Sequence, residues 1–152
     1  MDKRKLTDIL LKARTKTYAG EGGEVESAFN GSKQLEYREK DWLYRDIFYV
    51  GNGKFMGLET VYHKDKPVWS MSYYGNFEKM TEEEVDKILR KALVENWKTT
   101  RIWRKVEWKH GEYKYVCTPD FPGSIDEMAG MEKIFKKGKE VYFLFYAGGL
   151  VG

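Results

Sequence analysis

The dipeptide Asn52-Gly53 constrains this chain more than any other feature. It separates two runs rich in β-branched and aromatic residues, Trp42 to Val50 and Phe55 to Tyr62. Asn-Gly accepts positive φ at both central positions of a type I′ turn, so the pair predicts a tight hairpin. A two-residue turn fixes the register, and Val50 then faces Phe55, Phe48 faces Gly57, Asp46 faces Glu59 and Tyr44 faces Val61. Two carboxylates therefore meet across the ladder. Like charges in that position cost a few tenths to about 1 kcal/mol, and a proton, a cation, a hydrogen-bonding ligand or solvent must relieve them.

The next turn falls between His63 and Pro67. With Asp65-Lys66 at its centre, Glu59 faces Ser72, Val61 faces Ser70 and Tyr62 faces Trp69. Alternation then defines two faces. One carries Leu43, Ile47, Tyr49, Met56, Leu58, Tyr62, Trp69, Met71 and Tyr73, and its apolar character predicts that it is the core face. The other carries Tyr44, Asp46, Phe48, Glu59, Val61, His63, Ser70, Ser72 and Tyr74, polar in the middle and aromatic at its edges.

Helical spacing of Leu6, Ile9, Leu10 and Ala13 predicts an amphipathic helix from Asp2 to about Lys16. A weak extended segment passes through Val25 to a turn at Asn30-Gly31, and Gln34 to Tyr74 reads as a meander of about four strands. Thr81 with Glu84 three residues later forms a capping box, opening a second helix whose apolar stripe is Val85, Ile88, Leu89, Ala92, Leu93 and Trp97. Hairpins turning at His110-Gly111 and at Lys137-Gly138 complete the chain. The expected fold is α+β, a curved antiparallel sheet of a meander plus two hairpins with two helices packed on one face. With 152 residues and no linker or repeat, residues 1–152 read as a single domain.

Composition narrows the setting. The fractions of 41% hydrophobic and 34% charged residues are those of a soluble chain, and 16% aromatic gives much of the core to rings. Cys117 is the only cysteine, which excludes an internal disulfide and suits a reducing compartment, so the cytoplasm is the expected location. Leu6 to Leu11 is interrupted by Thr7 and Asp8, no run reaches transmembrane length, and no membrane partner is expected. A net charge of +3, from 27 basic and 24 acidic residues interspersed along the chain, demands no polyanion.

Three functional readings follow. In the first, Tyr44, Asp46, Glu59, Ser70, Ser72 and Tyr74 line a concave site for a small polar or cationic molecule, with a protein partner as the other occupant. In the second, the acids perform acid-base chemistry or hold a divalent ion, although no further ligand set accompanies them. One of the two carboxyls is then expected to have a raised pKa, and Asp46→Asn or Glu59→Gln to stabilise the protein, unless Arg38 or Arg45 already pairs with them. The third reading rests on Trp97 to His110, where Lys98, Arg101, Arg104, Lys105 and Lys109 interleave with Trp103 and Trp108, a pattern that suits single-stranded nucleic acid. An edge strand guarded by basic residues explains it equally, and nucleic acid is not the expected partner. His63 and His110 read as turn residues, Cys117 as a small buried apolar residue, and neither a catalytic residue, a metal nor a cofactor is expected. Oligomeric state is not legible.

The segments Lys16-Thr-Tyr-Ala-Gly, Leu35-Glu-Tyr-Arg, Trp42-Leu-Tyr-Arg-Asp, Lys66-Pro-Val-Trp-Ser-Met and Val141-Tyr through Gly148-Gly149 resemble those of a prokaryotic family of domains of unknown function, over nearly the whole chain. Members of that family stand alone or behind a repressor-type helix-turn-helix domain, which implies a sensor-like or accessory role linked to transcription regulation. The first helix alone is too short to house such a domain.

Overall fold

In the computed structural model, which describes residues 1–97 and 103–152, Asp2 caps α1 (Lys3–Lys16) by accepting from the Arg4 and Lys5 amides at 2.9 and 3.3 Å. Leu6, Ile9, Leu10 and Ala13 are buried along one stripe, as their spacing predicts. The second helix, α2 (Glu82–Trp97), opens with the expected capping box. The Thr81 amide donates to Glu84 Oε2 at 2.9 Å, and the Glu84 amide donates to Thr81 Oγ1 at 3.1 Å. Thr81→Ala should therefore cost about 1 kcal/mol in urea melts, and an unchanged midpoint would show that the box carries no stability. Val85, Ile88, Leu89, Ala92 and Leu93 form the buried stripe of α2, while the Trp97 side chain lies outside the described part.

Nine strands follow the order in which hairpins lay them down: β1 (Glu24–Val25), β2 (Lys33–Glu39), β3 (Trp42–Gly51), β4 (Lys54–His63), β5 (Lys66–Asn76), β6 (Val106–His110), β7 (Tyr113–Pro119), β8 (Glu127–Lys136) and β9 (Lys139–Leu150). They pair antiparallel in one open sheet, ordered β1-β2-β3-β4-β5-β9-β8-β7-β6. The final hairpin returns β9 to the middle, beside β5, which joins the meander to the two later hairpins. The fold is α+β, with a curved antiparallel sheet and two helices on one face, as read from the sequence. Tyr44, Val61, Trp69, Met128, Ile134 and Tyr142 meet the helix stripes in one core cluster.

Among the described residues, three two-residue turns have both central residues at positive φ: Asn52-Gly53, Lys64-Asp65 and Lys137-Gly138. The first and third stand where the sequence places them. The second stands one residue earlier than expected, and His63 rather than Lys64 closes it, opposite Lys66. A register shift between Val61 and Tyr62 follows, so Glu59 faces Met71 and Val61 faces Trp69. A one-residue slip moves a whole strand to the other face. Trp69, Met71 and Tyr73 accordingly share a face with Tyr44 and Asp46, and that face, not its opposite, lies under the helices. The face expected to be core is outward: Tyr49, Met56 and Leu58 are 47%, 56% and 49% exposed.

Candidate functional site

Asp46 and Glu59 face each other in register, as Asn52-Gly53 dictates, but under the helices instead of toward solvent, at only 4% and 8% exposure. Above them the sheet and helices enclose a cavity of about 540 Å³. Its sheet wall includes Tyr44, Asp46, Glu59, Tyr73, Glu132 and Tyr142, and α2 covers it with Val85, Leu89 and Leu93. A β-carbon at inward-facing Gly57 would lie 2.5 Å from the Tyr73 hydroxyl and 2.7 Å from the Ile47 carbonyl. The missing side chain is what lets the Tyr73 phenol reach across β4 to Asp46.

Three carboxyls are buried here, and each has a different partner. Arg14, itself 3% exposed, reaches down from the last turn of α1 and engages Glu59 with Nε, at 3.2 and 3.1 Å, and with Nη2. Burial works against the guanidinium charge, but the charge and hydrogen bonds of Glu59 outweigh it and raise the Arg14 pKa. Asp46 accepts from the Tyr73 hydroxyl at 2.8 Å. Burial, then the adjacent Glu59 charge, push Asp46 up to about 8 against the opposing pull of Tyr73 and Arg14. Glu132 accepts from the Tyr115 hydroxyl at 2.6 Å, and burial raises its pKa as well. The acid pair is thus split in role: Glu59 is half of an ion pair, and Asp46 is a carboxyl that holds its proton near neutrality. The Tyr142 hydroxyl, fully buried at the cavity wall, has no hydrogen-bond partner among the described residues.

Of the six site residues read from the sequence, the structure brings together Tyr44, Asp46 and Glu59. Ser70, Ser72 and Tyr74 are corrected to the outer face, because the Lys64-Asp65 turn and the shift after it invert β5 relative to the expected register. There Ser70 Oγ donates to the Glu59 carbonyl at 2.8 Å, Ser72 is exposed, and Tyr74 is 41% exposed. Met71 and Trp69 occupy the positions assigned to Ser72 and Ser70, opposite Glu59 and Val61, and Tyr73 stands opposite Gly57. The reading also missed Arg14 and Glu132. Arg14 had a signal, since it follows Leu10 by four residues and so continues the buried stripe of α1. Glu132 had only its alternation with buried Ile134 and Gly130 in β8. Arg45, one of the expected partners of the acid pair, binds Glu36 instead, at 2.8 Å.

Comparison with known proteins adds one assignment. Residues 46–151 match the protein family described as domain of unknown function DUF5680. The chain belongs to this family. The match begins at Asp46 itself, so Asp46, Glu59, Tyr73 and Glu132 lie within it, whereas Arg14 and the whole of α1 lie outside. Neither the curated proteins nor the solved structures contain a match.

The remaining sequence signals have structural places. β6 is an edge strand, as the basic-aromatic reading allows, and Trp108 Nε1 donates to Glu95 at 2.7 Å. Trp103 packs against the core, whereas Lys98 and Arg101 lie outside the described residues. His63 stacks on Trp42 at 4.3 Å between ring centres. Cys117 is buried, and burial pushes its thiol up to about 12, so it is inert at neutral pH. Among the described residues no group of three or more His, Cys, Asp or Glu side chains is placed to hold a metal ion. No described helix is long and apolar enough to cross a membrane.

Proposed function

We propose that this domain binds a small molecule in the cavity between helices and sheet, and that it serves as a sensor-like or accessory module in a prokaryotic cytoplasm, linked to transcription regulation. One observation carries the reading: a cavity of about 540 Å³ whose apolar and aromatic wall is interrupted by a few buried polar groups, Asp46, Glu132 and Tyr142 among them. Volume and lining match those of small-molecule sites, where apolar surface supplies affinity and sparse polar groups supply orientation. The acid-pair enzyme remains the alternative, with Asp46 as its protonatable member, and a nucleic-acid accessory role stands behind it. A mixed panel of metabolite-sized compounds, scanned by thermal shift, tests the proposal. A ligand at about a hundred times its Kd adds roughly 2.7 kcal/mol to stability. Val85→Trp should fill the cavity and abolish the shift while the protein still melts cooperatively. If no compound stabilises the wild type, or if the Val85→Trp protein responds equally, the proposal fails.

A second reading, association of two copies through the outer face, is favoured by the exposure of Tyr49, Met56, Tyr74 and Phe145, which run in one row across β3, β4, β5 and β9, with Leu58 beside them. Two twisted sheets pack face to face through side chains of this kind. Leu58→Lys leaves the cavity untouched, so sedimentation of that variant separates the two readings. A wild type that sediments as a monomer disposes of the second.

A further inference from the structure

Carboxyls outnumber cations inside the cavity. Asp46, Glu59 and Glu132 are buried there with Arg14 as the one buried cation among the described residues, and Arg14 is committed to Glu59 through two nitrogens. Asp46 and Glu132 receive phenolic hydroxyls instead, from Tyr73 and Tyr115. A phenol fills one of the acceptor positions of a carboxylate and supplies no charge. The mouth repeats the imbalance: Glu21, Glu24, Glu82 and Asp86 are exposed there against Lys33 and Arg90, and Arg90 is held by Asp86 at 3.1 Å. Around these carboxyls stand the rings of Tyr44, Phe55, Tyr73 and Tyr142.

We infer that the cavity takes a small organic cation, a protonated amine on an apolar or aromatic body, with its ammonium group set against Asp46. The inference rests on the cavity being a ligand site, and it names the class of ligand. An anion would meet buried carboxyls and acidic residues at the mouth; Arg14 is already taken by Glu59, and Arg90, whose Nη1 has no hydrogen-bond partner among the described residues, has Glu21 and Asp86 beside it and lies over the Tyr18 ring. A bare metal ion needs several oxygen ligands converging on one point, whereas an ammonium needs one or two carboxylates and is satisfied elsewhere by ring faces. The unpartnered Tyr142 hydroxyl offers an acceptor or donor to the ligand's body. When the ammonium arrives, Asp46 releases its proton and the positive charge of the ligand takes its place, so at neutral pH binding expels a proton, tightens as pH rises to about 8 and then levels off until the amine itself loses its charge.

Two sets of shape-matched probes decide it: phenethylamine, phenylethanol and phenylpropionate, and hexylamine, hexanol and hexanoate. Calorimetric titration of the full chain should show, in at least one set, the amine binding about ten-fold or more tighter than the alcohol, and the carboxylate weakest. Asp46→Asn should erase the preference for amine over alcohol while the alcohol still binds. Glu132→Gln, which leaves the Asp46 and Glu59 pair intact, serves as the second variant and should weaken the preference. An alcohol or carboxylate that binds as tightly as its amine overturns the ligand class and leaves the cavity reading standing. Amine preference that survives both substitutions overturns it too. If no probe of either set binds at millimolar concentration, ligand class and small-molecule reading fall together.

Discussion

Arg14→Met should cost about 3–5 kcal/mol, because it strands the Glu59 carboxylate in a buried position with its cation gone. That loss is a large part of the stability of a domain this size. Arg14 is 3% exposed and holds Glu59 through Nε and Nη2, so neither charge has solvent to fall back on. Its guanidinium also lies over the Trp69 ring, 5.7 Å from the centre, and the methionine keeps only the apolar part of that contact. Glu59→Gln should destabilise for the mirror reason, which reverses the expectation drawn from the sequence that neutralising either acid stabilises. Removing both charges, in the pair Arg14→Met with Glu59→Leu, should recover most of the loss, since replacing a buried ion pair by apolar groups is often near neutral. Urea melts of the wild type, Arg14→Met, Glu59→Leu and the pair give the coupling directly. Single substitutions that add without coupling would mean that the ion pair contributes nothing to folding.

Asp46→Asn should flatten the pH dependence of stability and leave the variant more stable than the wild type at pH 8 (about the folded pKa of Asp46). The carboxyl titrates near 4 in the unfolded chain and at about 8 in the fold, where burial and Glu59 hold the proton on. Between those values the folded protein keeps a proton that the unfolded chain has released. Asp46 therefore adds no penalty below pH 4, lowers stability progressively as pH rises toward 8, and exacts the full loss above it, with a slope of up to about 1.4 kcal/mol per pH unit. The groups that set this balance with burial come from three packed elements: Glu59 from β4, Tyr73 from β5 and Arg14 from α1. Asparagine has no proton to hold, so the difference between variant and wild type isolates the Asp46 contribution from that of the other carboxyls. Urea melts at pH 5 and pH 8, without ligand, measure it. A variant less stable than the wild type at pH 8 would show that Asp46 is charged and paired in the fold.

Both predictions turn on residues that differ in how legible they were. Asp46 opposite Glu59 follows from Asn52-Gly53 alone, because the positive φ of an I′ turn is a local steric preference that no tertiary contact needs to supply. The two helices and the capping box at Thr81 and Glu84 are equally local, since each depends on neighbours within one turn. The turn at Lys64-Asp65 has no such marker. Two non-glycine residues accept positive φ there only because the ladder that they close is held by packing elsewhere. The one-residue shift after Val61 inverted β5, set Trp69 and Met71 where Ser70 and Ser72 were expected, and so decided which face of that strand entered the core. Arg14 and Glu132 lie far in sequence from Asp46, on α1 and β8, and only the pairing of β9 with β5 and the packing of the helices on the sheet bring them into one cavity. Short-range sterics and periodicity set the helices, the register of the Asn52-Gly53 hairpin with its facing acids, and the place of the Lys137-Gly138 turn, although the last ladder shifts register between Ile134 and Phe135. Which face the helices cover, and which cation balances which acid, depended on long-range packing, and only the tertiary structure decided it.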